Sequence, residues 1–203
     1  NLGALAESVW GAAKGKSEVA YIKVATGIGA GLISGGHLNR GVNGIAGEIG
    51  HTLVAENGPV CRCGNRGCLE TLASARAITS LLGESRREEI STRRLLELNE
   101  AGDAAAQRLI AGAGQAIGLA VANVCNLLNP ECVVVGGDLS AAGDALLEPL
   151  RQTVRRIGIP SAVEDLEIVP GVLGERAELI GAIALVMQES DRFATQEAGN
   201  KAA

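Results

Sequence analysis

Residues 47–70, GEIGHTLVAENGPVCRCGNRGCLE, crowd one imidazole and three thiols onto a short polar loop: His51, Cys61, Cys63 and Cys68. Zinc takes four such ligands in a tetrahedron, and a closed Cys₃His set is the signature of a structural site. Gly64 follows Cys63 and Gly67 precedes Cys68, where glycine lets the backbone turn sharply enough for neighbouring thiolates to converge. The loop has almost no core of its own, so a bound metal would supply its rigidity. The alternative is a cluster of free thiols or a disulfide pair. Cys61 and Cys63 are too close for an easy mutual bridge, and three thiols leave one unpaired. The remaining cysteines, Cys125 and Cys132, lie in the apolar runs ANVCNLL and ECVVVGG and read as small core residues. The spacing lacks the paired C-x₂-C of a zinc ribbon, so the site reads as a local brace and not a nucleic-acid-reading finger.

A chain of 203 residues, 47% hydrophobic and 20% charged, has the composition of a globular domain with one core or slightly more. It holds one Trp, one Tyr and one Phe, so that core must be built from Ala, Val, Leu and Ile. A net charge of −5 argues against nucleic-acid binding by this segment, which needs surface Lys and Arg for phosphate contacts. No segment reaches 18 uninterrupted apolar residues, and no membrane span is expected. Thiols kept reduced for metal binding favour the cytoplasm.

Along the chain, Leu2, Leu5, Ala6, Val9 and Trp10 recur at helical spacing and predict a helix over 2–13, closed by Gly15. EVAYIKVA (18–25) alternates as a strand, and GIGAGLIS continues it as a hairpin. A loop runs from Gly35 to Gly50, and a third short strand is expected at His51–Ala55. His37, in that glycine-rich loop, reads as plain surface. Leu69–Leu82 predicts a helix and 88–99 a charged surface helix. Asp103 caps a long helix that reaches Leu128 and stops at Pro130, with Ala106, Ile110, Ala113, Ile117, Val121 and Val124 on its apolar stripe. Cys132–Val135 is a continuous β-branched run, the pattern of a buried parallel strand. A helix over 143–157, a strand at 166–169 and a last helix over 175–189 follow, with a polar, fraying tail. The order predicts an α/β fold with a mixed five-stranded sheet and flanking helices.

Gly47-Glu48-Ile49-Gly50-His51 followed by Cys61-Arg62-Cys63-Gly64-Asn65-Arg66-Gly67-Cys68-Leu69-Glu70 closely resembles the signature of the ROK family of repressors, open reading frames and sugar kinases. Thr26-Gly27-Ile28-Gly29-Ala30-Gly31 resembles that family's second phosphate loop, and Val133-Val134-Val135-Gly136-Gly137 its adenosine loop. The resemblance implies a ribonuclease-H-like, actin-like ATPase lobe, with the zinc-braced loop as an appendage. It covers nearly the whole chain but only the later part of a ROK protein. Residues 1–203 then form the C-terminal sugar-binding and oligomerisation lobe. A nucleotide lobe with an Asp-Gly-Thr loop, the catalytic aspartate and any winged helix would precede Asn1. On that reading the chain is not an active enzyme by itself.

By resemblance, Glu48, His51 and Glu70 contact sugar hydroxyls. As bare carboxylates Glu48 and Glu70 would be ordinary solvated charges, whereas charge-assisted bonds to paired hydroxyls would make them a sugar site. His51 could serve both roles, one ring nitrogen on zinc and the other toward a hydroxyl. Thr26, Gly27 and Gly29 would approach nucleotide phosphate, or be an ordinary glycine hairpin. Gly136 and Gly137 would face adenosine at the carboxyl end of a strand, or be an ordinary strand–helix turn. ATP and Mg²⁺ are expected only in a longer protein. Glu175 complements the dipole of the last helix, whose apolar face is expected to pack toward the preceding lobe.

Three functions follow. The first is the sugar-sensing part of a ROK transcriptional regulator, with DNA bound through a preceding domain; the segments NLGALAE and PSAVEDLEIVPGVLGERAELIGA are similar to actinobacterial regulators. The second is the C-terminal lobe of an ATP-dependent, glucokinase-like sugar kinase. The third is a zinc-braced interaction module. The family resemblance implies a hexose or related sugar as ligand and a homo-oligomer, dimer or tetramer.

Overall fold

In the computed structural model, which describes residues 2–200, strand β1 (Val19–Val24) is the organising element. On one side it pairs antiparallel with β2 (Ile28–Ser34), which pairs antiparallel with β3 (His37–Asn39). On the other it pairs parallel with β4 (Cys132–Gly136), and β4 with β5 (Glu167–Pro170). The strand order is β3-β2-β1-β4-β5, a mixed five-stranded sheet.

Alternation along β1 and β4 sends side chains to two separate cores. Ala20, Ile22, Val24, Val133 and Val135 face a large cluster covered by α2 (Leu69–Ala73), α3 (Ala75–Arg86), α4 (Thr92–Glu100), α5 (Ala104–Leu128) and α6 (Asp144–Ile157). Val19, Tyr21, Cys132 and Val134 face a smaller cluster under α1 (Leu2–Trp10) and α8 (Ala177–Asn200). Buried on both faces, β4 has no polar side to show, which explains its unbroken apolar run.

Asp103 caps α5 as its position predicts: Oδ1 accepts from the Ala105 and Ala106 N–H groups at 3.1 and 2.9 Å. Gly114 and Gly118 let α5 lie directly on α6. A Cβ at Gly114 would sit 2.3 Å from the Leu146 carbonyl oxygen, and one at Gly118 2.7 Å from that of Leu150. Among the described residues α5 is the one helix long and apolar enough to cross a membrane, and half of its most apolar window lies inside this core.

Several boundaries differ from the sequence expectation. The third strand is His37–Asn39, not His51–Ala55. Gly35 and Gly36 adopt φ of 56° and 77°, the left-handed pair that closes a two-residue hairpin. His37 is therefore an exposed edge-strand residue opposite Ser34. Residues 49–51 form a 3₁₀ turn, and isolated bridges of Leu53 with Cys68 and Val60 with Arg66 follow it. The helix expected over 69–82 is broken at Ser74, which is extended at ψ 156°, caps α3 through its hydroxyl, and leaves the Ala75 N–H to bond the Ala25 carbonyl 2.9 Å away.

The first helix ends at Trp10. The buried Glu7 carboxylate takes the Ala12 N–H at 2.7 Å and reaches the Leu173 N–H at 3.0 Å, tying the end of α1 to the turn after β5. A short helix, α7 (Pro160–Val163), and a 3₁₀ turn at Asp138–Ala142 were not anticipated. The last helix extends past 189 to Asn200. It seats Ala177, Gly181 and Ala184 inward and leaves Leu179, Ile183, Val186 and Met187 exposed. Asn1 lies outside the described residues.

Candidate functional site

The loop after the 3₁₀ turn doubles back on itself. Gly67, at φ 64°, makes this possible: a Cβ there would lie 1.6 Å from the Ala55 carbonyl oxygen. The Val54 and Ala55 N–H groups both bond the Gly67 carbonyl, and the Cys61 N–H bonds that of Asn65. This backbone lattice brings the four predicted ligands together. The Nδ1 or Nε2 of His51 and the sulfurs of Cys61, Cys63 and Cys68 all lie within 4.8 Å of one another. Cys61 Sγ is 3.5 Å from His51 Nδ1, and Cys63 Sγ is 3.6 Å from Cys68 Sγ. Four ligands at zinc–sulfur and zinc–nitrogen bond lengths define tetrahedron edges of about 3.6–3.8 Å.

The donor set therefore fits a metal ion. Burial and the neighbouring thiols push the Cys68 thiol up to about 12, while the Asn65 N–H holds the Cys63 thiol below its ordinary value. Three sulfurs this close ionise together only when a cation compensates them.

Glu70 is where the loop meets the rest of the fold. It sits in the first turn of α2, 8% exposed. Burial works to raise its pKa, but the Arg62 guanidinium outweighs that and holds it below the ordinary carboxylate value. Arg62 Nε donates to Oε1 at 2.7 Å and a terminal nitrogen to Oε2 at 3.4 Å. His51 Nδ1 lies 3.8 Å from Glu70 Oε1, and His51 Nε2 lies 3.7 Å from Glu48 Oε2. Glu48, His51 and Glu70 thus form one continuous line against the thiol cluster. Nδ1 lies against the Cys61 sulfur; were it to ligate a metal, the ring proton would be on Nε2, toward Glu48. Glu48 is exposed and free to turn toward a ligand.

The other predicted positions separate. Thr26 and Gly27 form the tip of the β1–β2 turn, and a Cβ on Gly27 would lie 3.0 Å from Glu70 Oε2. They line a cleft of about 500 Å³ together with Arg62, Glu70 and Arg76. Gly29 has open space around its Cβ direction. Gly136 and Gly137 lie elsewhere, Gly137 in a larger cleft of about 960 Å³ at the carboxyl ends of β1, β4 and β5, beside Lys23 and Glu178. Their glycines have a packing reason. A Cβ at Gly136 would strike the Tyr21 hydroxyl at 2.3 Å, and one at Gly137, φ 87°, the Val24 carbonyl at 2.5 Å. Lys23 is already ion-paired with Glu178 of α8.

Arg62 is the site residue that sequence reasoning missed. Its signal was position alone: it stands between two ligands and eight residues before Glu70.

The sequence profile of the ROK family matches residues 1–189. The chain belongs to the ROK family. It is 36% identical to a glucokinase of Halalkalibacterium halodurans, over 99% of this chain and 64% of that protein. It is similar in structure to a ROK transcriptional regulator homologous to the E. coli MLC protein, with a TM-score of 0.86 and 33% identity over 92% of this chain and 50% of that one. A ROK glucokinase from Streptomyces griseus, in complex with glucose and AMPPNP, aligns at a TM-score of 0.81 and 31% identity over 91% of this chain and 65% of that one. The chain thus spans between half and two-thirds of the length of these relatives. Both branches foreseen from the motifs, repressors and sugar kinases, are among its relatives.

Proposed function

We propose that this chain is the sugar-sensing lobe of a ROK transcriptional regulator, braced by a structural zinc ion on His51, Cys61, Cys63 and Cys68. The observation that carries the sugar site is the line Glu48–His51–Glu70 laid directly on the thiol cluster. Zinc, when bound, supplies rigidity and fixes the His51 ring through Nδ1. His51 Nε2–H is then an oriented donor to a sugar oxygen, while Glu48 and Glu70 accept from sugar hydroxyls. Arg62 keeps Glu70 ionised, which makes those bonds charge-assisted and strong. The superposition on the MLC-like regulator, at a TM-score of 0.86, supports the regulator reading.

DNA would be bound by a further domain, since this segment's net charge of −5 does not suit it. Sugar would act by shifting the protein between forms of different DNA affinity. A cytoplasmic homo-oligomer belongs to the same reading, with the outward apolar residues of α8 as available contact surface.

The second reading is the C-terminal lobe of an ATP-dependent hexose kinase. It is favoured by the glucokinase relatives and by the open cleft beside Gly137. In that reading Thr26, Gly27 and Gly29 would face phosphate in one cleft and Gly136 and Gly137 adenosine in the other. The deciding experiment uses the full-length protein: fluorescence anisotropy of DNA from its own promoter region, titrated with monosaccharides, beside a sugar-dependent ADP-release assay. Sugar-driven DNA release without ADP formation establishes the regulator. ADP formation that depends on sugar establishes the kinase.

A further inference from the structure

The four gathered side chains differ in how much water they meet. Cys61 and Cys68 are 3% and 1% exposed and His51 is partly buried, whereas Cys63 stands open to solvent. A Cβ on Gly64, the next residue, would meet nothing within 4 Å, so the tip of the loop is uncovered. The Cys63 sulfur lies 3.6 Å from the buried Cys68 sulfur. A disulfide holds its sulfurs about 2.0 Å apart, so a movement of about 1.5 Å joins this pair. An accessible thiol with a second thiol in reach is the arrangement that oxidants attack, whereas a thiol enclosed in apolar surroundings is inert. Cys125 and Cys132 are of the second kind: both are wholly buried, and burial pushes their thiols up to about 11.

We propose that Cys63 is a site of oxidative modification and Cys68 its resolving thiol, so that a peroxide unlocks the metal brace. The inference rests on the zinc reading and adds a means of regulating it. The Cys63 thiolate attacks one peroxide oxygen; the O–O bond breaks, hydroxide leaves, and the sulfur becomes a sulfenic acid. The Cys68 thiolate then attacks the Cys63 sulfur; the S–O bond breaks, a second hydroxide leaves, and the S–S bond forms. Two thiolates have given up two electrons, and one peroxide has become two hydroxides. Only His51 and Cys61 remain as donors, too few for a closed tetrahedral site. The His51 ring then loses its anchor, and the sugar line is lost with it.

The experiment uses the full-length protein, purified with reductant, its zinc measured, then freed of reductant and treated with hydrogen peroxide. Released zinc is read with a chromogenic chelator, and the linkage by tryptic mass mapping after alkylation. Trypsin cuts after Arg62 and Arg66, which puts Cys61, Cys63 and Cys68 on separate peptides. The expected result is loss of zinc in step with a Cys63–Cys68 link, with Cys125 and Cys132 left unoxidised, and recovery of bound zinc on reduction and remetallation. Cys63→His keeps a fourth donor but removes the thiol, and it should hold its zinc through the same treatment. Should that variant fail to load metal, limiting N-ethylmaleimide on the wild-type protein decides: Cys63 labels ahead of Cys61 and Cys68. Zinc retained with Cys63 unmodified overturns the proposal and leaves the brace standing. So does zinc lost through a Cys61–Cys68 link, release from Cys63→His at the wild-type rate, or Cys63 labelling no faster than the other two. A protein purified without zinc that still forms the Cys63–Cys68 link keeps the oxidation site and removes the brace. Neither zinc nor the link removes both.

Discussion

The cysteine loop and the sheet core solve the same problem with opposite materials. Around β1 and β4, Ile22, Val133, Val134 and Val135 are wholly buried between helices on two faces. Order there comes from removing apolar area from water, about 25 cal/mol for each Å². In the loop from His51 to Cys68, Leu53 and Val60 point outward and Cys63 is exposed. Its order comes from a few backbone hydrogen bonds and four convergent ligands. A core tolerates gradual change because its energy is spread over many contacts. A coordination site is all-or-none, because each ligand carries a large share of a small total.

The largest expected effect breaks this comparison open. Chelating the metal at neutral pH, or replacing Cys68 by Ala, should release hydrogen-exchange protection across residues 51–70 and abolish sugar-induced protection there. Structural zinc is worth on the order of 10 kcal/mol in small peptides, so under the proposed brace the loop would lose its order when the metal is removed. Protection in β1 and β4 should remain. An unchanged exchange pattern over 51–70 would sink the brace. Next comes Ile22→Ala, which empties the centre of the larger core. It should cost about 2–5 kcal/mol of global stability by denaturant unfolding and leave the bound-metal stoichiometry untouched; loss of both together would mean the two regions are one cooperative unit.

Smaller effects sharpen the border between the two regions. Glu70→Gln removes the charge that Arg62 holds, and should weaken sugar binding by about tenfold with metal content unchanged; a loss of metal would make Glu70 part of the brace. The smallest is a pH effect at the far side of the core. The Ala106 N–H, with the Arg86 guanidinium at 2.6 Å, holds the Asp103 carboxyl below its ordinary value of 3.8. Its contribution is therefore fully present above that value and is lost as pH falls through the lower folded one. Asp103→Ala should lower the melting temperature at pH 7, and the difference from wild type should shrink below about pH 4. A difference constant down to pH 2 would rule out the carboxylate as its source.

Much of this was open to inspection in the sequence. The Cys132–Val135 run announced a strand covered on both faces, and Asp103 announced the start of α5. The four ligands lay close enough in the chain that local geometry alone could gather them. Other features were hidden for identifiable reasons. The stretch 51–55 is apolar enough to predict a third strand, yet β2 has one free edge and the Gly35-Gly36 turn delivers His37–Asn39 to it first. The break at Ser74 is invisible to periodicity because Leu69–Leu82 keeps a helical pattern through it. What interrupts the helix is a hydrogen bond to Ala25, about fifty positions away along the chain.

The division has a physical cause. By itself the sequence determined the chemistry of the ligands, the alternation that builds two cores, and the family signature, because each depends on neighbours a few residues apart. Only the tertiary structure decided that Arg62 turns onto Glu70, that His51 offers Nδ1 to the sulfurs and Nε2 to Glu48, and that Thr26 and Gly137 open into different clefts. Those outcomes depend on where distant segments come to rest, and a side chain with several open directions takes the one that burial and charge leave it.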